Sequence, residues 1–134
     1  MSGLVLKLGP AERVLINGTV IENGDRRTRL MIHTPAARIL RLRDAIHPDQ
    51  ANTPVRRVCY LAQLMLSGDM GMDEGRLQLL RAIEQLSQVL TDSDSRQLLG
   101  QASQAIIASN SYMALRALRA LLPREERLMA AASP

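Results

Sequence analysis

Aromatic side chains are nearly absent from this sequence, which contains no phenylalanine, no tryptophan and only two tyrosines. The hydrophobic core must therefore be built from aliphatic side chains and methionine. The same shortage argues against the RNA-binding proteins that stack successive bases on aromatic rings. With 134 residues, of which 46% are apolar, the chain is expected to form a real core within about one domain.

Cysteine and histidine are also scarce. The single cysteine, Cys59, excludes an internal disulfide, lies in an apolar run and is expected to be a buried thiol in a reducing compartment. The two histidines, His33 and His47, have no carboxylate at ligand spacing, so no metal site is expected. Without a run of about 20 apolar residues or a secretion signal, the protein is expected to be cytoplasmic and without membrane contact.

Motifs of catalysis are missing as well. The sequence has no phosphate-binding loop, no GxGxxG and no CxxC, and no serine lies in the context of a nucleophile elbow. We therefore expect a protein that is not an enzyme and that needs no cofactor.

Positive charge is abundant but unevenly distributed. The net charge is +4, and 16 of the 17 basic residues are arginine. Residues 1–57 carry ten basic and five acidic side chains, whereas residues 58–134 carry seven and eight. This asymmetry suggests that the two halves have different partners and that the first half meets an anionic one.

The basic half is also the strand-like half. Alternating hydrophobicity predicts strands at residues 4–8, 13–21, 28–34 and 39–42. Asn23-Gly24 is the stronger hairpin signal, and Asn17-Gly18 is interpreted as a turn or bulge inside the second strand, whose Val14, Ile16 and Val20 would share a face. The last strand is expected to set Arg41 and Arg43 on one face.

The second half shows helical periodicity. Residues 44–54 are polar and turn-rich, and they predict a boundary between a strand module at residues 1–47 and a helical region at residues 53–130. One helix is expected to start at Pro54, another at Asp73 or Glu74, and a third after a cap at Asp92. Pro123 is expected either to stop the last helix or to mark a new start. The positions predicted to be buried are Val58, Leu61, Leu64, Met65, Leu79, Ile83, Leu86, Leu90, Leu98, Ala102, Ala105, Ile106, Leu115, Leu118 and Leu122. The predicted fold class is α+β, a small antiparallel strand module followed by a three- to four-helix bundle.

A cluster of cations on the predicted strands is the candidate functional site. If the strands are neighbours, their guanidinium groups converge on one edge or face, where they can hold phosphates and bond to unstacked bases. The candidate RNA-binding residues are Lys7, Arg26, Arg27, Arg29, Arg38, Arg41 and Arg43. The alternative is a solvated arginine face paired with Asp25, Asp44 and Glu22.

Three linked segments follow one another over most of residues 4–70: LVLKLGPAERVLING, VIENGDRRTRL and ILRLRDAIHPDQANTPVRRVCYLAQLML. In these segments the sequence resembles the FlbT family, small post-transcriptional repressors of flagellin from flagellated alphaproteobacteria. The resemblance implies binding to the 5′ untranslated region of flagellin messenger RNA and control of its translation and decay. It also implies a second small flagellar regulator, FlaF, as functional counterpart.

The stretch from Leu4 to Ile46 is also similar, more weakly, to the carbon storage regulator family. That family forms an intertwined strand dimer and binds GGA-bearing hairpin loops with its first and last strands. By position, Arg43 in LRLRDAI matches its main RNA-contacting arginine, and Leu6 and Lys7 match its first-strand contacts. The sequence departs from that family at Gly9-Pro10, where the family keeps arginines, and the Arg26–Arg29 cluster is a hypothetical compensation.

Two functions follow as expectations. In the first, the protein binds the flagellin messenger RNA leader and represses flagellin synthesis. In the second, it is an adaptor whose aliphatic helices present a groove to flagellin or to FlaF, while the basic strands only add solubility. Exposure of a stripe formed by Leu79, Leu86, Leu98 or Leu115 would favour the adaptor. A homodimer formed through strand edges is compatible with either function.

Overall fold

The computed structural model describes residues 3–35 and 37–132, in which five strands precede five α-helices. The strands are β1 (Leu4–Leu8), β2 (Arg13–Ile16), β3 (Thr19–Glu22), β4 (Thr28–Ile32) and β5 (Ile39–Arg41). The helices are α1 (Pro54–Ser67), α2 (Met72–Ser87), α3 (Ser93–Ile107), α4 (Ser111–Arg119) and α5 (Leu122–Ala132). Short 3-10 turns at Leu42–Asp44 and Pro48–Gln50 connect β5 to α1. The predicted α+β class is confirmed.

The strands form two separate antiparallel sheets. β1 pairs with β4, so that Leu6 lies opposite Leu30. β2 is the central strand of the other sheet, between β3 and β5. Leu6 and Leu8 of β1 are buried while Val5 and Lys7 are exposed, as strand alternation requires.

The hairpin turn lies at Asn17-Gly18, not at Asn23-Gly24, so this part of the prediction is wrong. Asn17 has φ 49° and Gly18 has φ 84°, and the paired residues on either side are Ile16 and Thr19. Two successive positive φ angles are the requirement of a type I′ turn, which Asn-Gly meets with least strain. The turn reverses the chain, so Val20 lies opposite Leu15, is 59% exposed and does not share the face of Val14.

Asn23 joins the two sheets instead of turning a hairpin. Its side-chain amide donates to the carbonyl oxygen of Gly9 at 2.7 Å and to that of Arg26 at 2.8 Å. Its backbone N–H donates to the carbonyl of Glu12 at 2.9 Å. Two of these bonds join the connection between β3 and β4 to the loop between β1 and β2, and the third lies within the connection itself, so backbone groups of both segments gain partners.

Helix boundaries follow the predicted caps. α1 begins at Pro54, with the Thr53 hydroxyl accepting from the Arg56 N–H at 3.2 Å, and α3 begins after Asp92, which accepts from the Ser95 N–H at 3.0 Å. The last predicted helix is divided into α4 and α5, because Pro123 lacks an N–H and fits the first turn of a new helix. The structure therefore has one helix more than the upper limit expected.

Most positions of the predicted apolar stripes are buried. The buried ones are Val58, Met65, Leu79, Ile83, Leu86, Leu90, Ala102, Ile106, Leu115 and Leu118. The other predicted positions, Leu61, Leu64, Leu98, Ala105 and Leu122, are only partly buried. In α3 the buried leucine is Leu99 instead of Leu98.

Two hydrophobic clusters meet at α4. The larger one is formed by the helices and includes Leu40 of β5. The smaller one contains Leu6, Leu8, Val14 and Ile39, and Tyr112 of α4 packs against it. The strands are thereby fixed against α4, and this junction positions the site described below.

Helix α5 is fastened to the start of α1. Glu125 of α5 is buried, and its carboxylate accepts from the Val55 N–H at 2.9 Å and from the Thr53 hydroxyl. A carboxylate at this place satisfies N–H groups that a helix leaves free at its N-terminus. None of the helices in residues 3–35 and 37–132 has both the length and the apolarity that crossing a membrane requires.

Candidate nucleic-acid interface

A largely buried ion pair between Arg41 and Glu12 organises the basic residues. Arg41 Nη1 lies 2.7 Å from Glu12 Oε2, with side chains only 11% and 9% exposed. Arg41 Nη2 also donates to the Lys7 carbonyl at 2.8 Å, and Nε donates to the Tyr112 hydroxyl at 3.4 Å. Arg41 therefore ties β1, β5 and α4 to the loop that precedes β2.

Glu12 is held as a carboxylate. Burial alone would raise its pKa, but the hydrogen bond from the Gly9 N–H at 2.9 Å and the attraction of Arg41 and Arg43 lower it below 4.5. The same contacts act on the other partner, because burial would lower the pKa of Arg41 while the hydrogen bonds to Tyr112 and Glu12 raise it. Both groups therefore stay charged over the physiological range.

Arg43 is the exposed member of this group. β5 ends at Arg41 instead of Leu42, so strand alternation does not place Arg41 and Arg43 on one face as predicted. Arg43 is 64% exposed, and its Nε lies 3.6 Å from Glu12 Oε2 and 3.9 Å from Asp44 Oδ1. The two arginines thus share one carboxylate, but only Arg43 presents its guanidinium to solvent.

A first cleft, of about 500 Å³, opens between the start of β4 and the loop after β1. Its basic lining residues are Lys7, Arg27, Arg29 and Arg43, and its acidic one is Glu12. Lys7 and Arg29 lie directly opposite each other in the sheet. Like charges in that relation destabilise a sheet, and a bound anion would relieve the repulsion.

A second cleft, of about 430 Å³, lies between β1, β5 and α4. Its basic lining residues are Lys7, Arg41, Arg43, Arg116 and Arg119. Arg119 is held in place because it donates to the Asp44 carbonyl at 3.0 Å and lies 3.6 Å from the Asp44 carboxylate.

The two clefts adjoin, since Lys7 and Arg43 line both. Together they form one surface that crosses from the strands to α4. We call this surface the basic groove and define it by its exposed or partly exposed cations: Lys7, Arg27, Arg29, Arg43, Arg116 and Arg119.

Five of the seven residues predicted from the sequence thus come together, namely the four that line the first cleft and Arg41 beneath them. Arg26 and Arg38 line neither of the two clefts. Arg38 lies instead beside Gly68, the residue that follows α1. A Cβ added to Gly68 would be 3.4 Å from Arg38 Nη1. The predicted adjacency is also partly wrong, because β4 pairs with β1 while β5 pairs with β2 in the other sheet.

Sequence reasoning missed three residues of α4 that line the groove: Tyr112, Arg116 and Arg119. The signal available was the i, i+3 spacing of two arginines off the apolar stripe of the last predicted helix. That spacing shows that Arg116 and Arg119 share a helix face, but it does not show which strand packs beside that face. The packing of α4 against β5 supplies this information.

Comparison with known proteins gives a consistent family assignment. The family model described as flagellar protein FlbT matches residues 4–129. A relative from Rhodopseudomonas palustris (strain TIE-1), named probable flagellum biosynthesis repressor protein FlbT, is 36% identical over 127 residues, which cover 94% of this chain and 97% of the relative.

Two further relatives carry the same name or its shorter form. The protein from Mesorhizobium japonicum, also a probable flagellum biosynthesis repressor protein FlbT, is 31% identical over 94% of this chain and 84% of its own. The flagellum biosynthesis repressor protein FlbT of Caulobacter vibrioides (strain CB 15) is 29% identical over 92% of this chain and 86% of its own. No solved structure shows significant similarity to this chain. The match of the family model over nearly the whole length, together with these relatives, shows that the chain belongs to the FlbT family of flagellar proteins.

Proposed function

We propose that the protein represses flagellar biosynthesis as a cytoplasmic, non-enzymatic regulator that binds the 5′ leader of flagellin messenger RNA and lowers its translation and lifetime. The basic groove is the observation that carries the proposal, because it gathers on one surface six cations from β1, β4 and the residue before it, α4 and the turn after β5. Phosphate contacts of this kind position an RNA strand and supply much of its affinity.

The relatives support the biological half of this proposal. They are named as flagellum biosynthesis repressors, and the same role is proposed for this chain. The RNA half is supported by the groove and by the resemblance of residues 4–70 to post-transcriptional repressors.

The burial of the helices bears on the adaptor alternative. Leu79, Leu86 and Leu115 are buried and Leu98 is partly buried, so these positions form no exposed stripe for a partner helix. The sequence expectation tied the adaptor to such a stripe. RNA binding is therefore the favoured function, and contact with FlaF or flagellin remains a prediction for the second half of the chain.

Oligomeric state is a separate prediction. All four residues of β3 are exposed, and β3 lies at the edge of its sheet. An exposed edge with free backbone groups is the place where a second copy can add a strand. Light scattering on the purified protein tests the proposed homodimer.

The decisive experiment compares binding of the flagellin leader by the wild-type protein, by Arg43→Gln and by Arg81→Gln, each at several salt concentrations. Arg43 lines both clefts, whereas Arg81 is exposed on α2, which lines neither of them. We expect Arg43→Gln to weaken binding and to reduce the slope of log affinity against log salt by about 0.7 per lost phosphate contact. Arg81→Gln should leave both unchanged.

Equal losses in the two variants would contradict the groove as the binding surface. Absence of leader binding by folded wild-type protein would contradict RNA binding itself and favour the adaptor. Arg41 is unsuitable for this comparison, because removing a largely buried ion-pair partner also destabilises the fold.

A further inference from the structure

We propose that the second cleft, between β1, β5 and α4, holds one unpaired nucleobase of the bound RNA. This inference rests on the proposed RNA-binding function and deepens it. It assigns base contact to the α4 side of the groove and leaves the first cleft to phosphates alone.

The lining of the second cleft includes an aromatic ring and several aliphatic side chains, which a track for phosphates does not need. Its uncharged lining residues are Leu4, Val5, Ile39, Tyr112 and Leu115. Val5 is 41% exposed although it is an aliphatic residue. Phosphate oxygens gain nothing from such side chains, whereas a base removed from its stack needs an apolar or aromatic surface to replace the stacking.

The first cleft has no aromatic lining residue. Its uncharged lining residues are Leu8, Gly9, Pro10 and Thr28, beside the cations Lys7, Arg27, Arg29 and Arg43. Leu8 is buried and Pro10 is exposed, so the apolar surface of this cleft comes from side chains without a planar ring. The two compartments therefore suit different parts of a nucleotide.

The walls of the second cleft offer partners to a base edge. Tyr112 and Asp44 both line it, and the Asp44 carboxylate is held between Arg43 and Arg119. A volume of about 430 Å³ lies within the roughly 300–1,000 Å³ of small-ligand sites. Lys7, Arg43 and Arg116 at the rim are placed to bind the flanking phosphates, which gives the charge complementarity that an RNA strand requires.

The test compares an oligouridine with an abasic oligonucleotide, which has the same length and charge but lacks the bases. Wild-type protein should bind the oligouridine roughly tenfold more tightly, as contact between a base and a side-chain surface generally provides. Val5→Gln replaces an apolar lining side chain with a polar one, without changing the charge or adding a ring on which a base could stack, so it should lower this preference severalfold. Val20→Gln is the matched control, since Val20 is a 59% exposed strand valine outside both clefts, and it should retain the preference.

A spectroscopic readout reports on the cleft directly. Tyr60 and Tyr112 are the two tyrosines and the chain has no tryptophan, so Tyr60→Phe leaves Tyr112 as its only fluorophore. The oligouridine should change the Tyr112 emission, and the abasic oligonucleotide should not.

The outcomes separate this inference from the proposed function. Equal binding of the oligouridine and the abasic oligonucleotide, or a preference that Val5→Gln leaves unchanged, would overturn the base site while leaving an RNA-binding groove. Failure of both oligonucleotides and of the natural leader to bind would overturn both proposals. Displacement by an acidic peptide in place of any base preference would assign the cleft to a protein partner and also overturn the base site.

Discussion

Replacing Arg41 by methionine tests whether the ion pair with Glu12 fastens the strands to the helices. The variant keeps most of the aliphatic volume of the side chain but removes three hydrogen bonds, to the Glu12 carboxylate, the Lys7 carbonyl and the Tyr112 hydroxyl. It leaves a carboxylate that is only 9% exposed without its nearest cation. Breaking a buried pair by removing one partner costs about 3–5 kcal/mol.

The lower end of that range applies here. Glu12 retains the hydrogen bond from the Gly9 N–H and the more distant Arg43 Nε at 3.6 Å. We therefore expect a loss of about 3 kcal/mol in the free energy of unfolding, or roughly 10 °C in Tm for a chain of this size. Urea denaturation followed by circular dichroism measures it.

Arg13→Met is the matched control. Arg13 also pairs with a glutamate at 2.7 Å, but Arg13 and Glu22 are 63% and 55% exposed. An exposed pair contributes at most about 1 kcal/mol. Equal losses for the two variants, or a loss below about 1 kcal/mol for Arg41→Met, would refute the reasoning from burial.

The pH dependence gives a second check. Because the pKa of Glu12 is lower in the folded state than its usual 4.5, its ionisation stabilises the fold above pH 4.5, and this contribution is lost as the pH falls through the folded pKa. Wild-type protein and Arg41→Met should therefore differ most near neutral pH, and the difference should shrink below pH 4.5. A difference independent of pH would show that the pair does not act through the charge of Glu12.

Two other side-chain environments give predictions of their own. Burial raises the pKa of the Cys59 thiol to about 12, so at pH 8 only about one thiol in ten thousand is ionised, and a thiol reagent should label the native protein far more slowly than the urea-unfolded one. A Cβ at Gly75 would overlap the buried Met65 side chain where α2 meets α1, so Gly75→Ala should cost about 1–3 kcal/mol. Gly100→Ala on the exposed side of α3 meets nothing and should instead stabilise by up to about 1 kcal/mol, as thermal melts of the two variants would show.

The sequence specified elements better than their arrangement. Helix starts at Pro54 and after Asp92 were predictable because a cap depends on a few neighbouring residues. The hairpin was misassigned because both Asn-Gly pairs satisfy the local requirement of the turn. The bonds that occupy Asn23, to Gly9, Arg26 and Glu12, come from segments that the local pattern does not relate to it.

The site shows the same limit. Lys7 and Arg43 were predicted as candidate contacts, and the structure brings them together between two clefts. Arg116 was not predicted, because its part in the groove depends on how α4 packs against the strands. The burial of Arg41 could not be predicted either. A strand pattern indicates on which face a side chain lies, but it does not indicate that Glu12 from another segment would pair with it.

The sharing of Lys7 and Arg43 by the two clefts has a consequence for the mechanical behaviour of the protein. The sheet formed by β1 and β4 has no strand in common with the rest of the fold. It is held by its core leucines, by the hydrogen bonds of Asn23 and by the bond from Arg41 to the Lys7 carbonyl. A polyanion bound along both clefts would contact this sheet and α4 at the same time. Its binding would therefore stabilise the arrangement in which the two are packed together, by mass action. Adding the polyanion should slow hydrogen exchange in β4 by a larger factor than in α2. The fraction of protein with bound ligand would then determine how often this sheet separates from the rest of the fold.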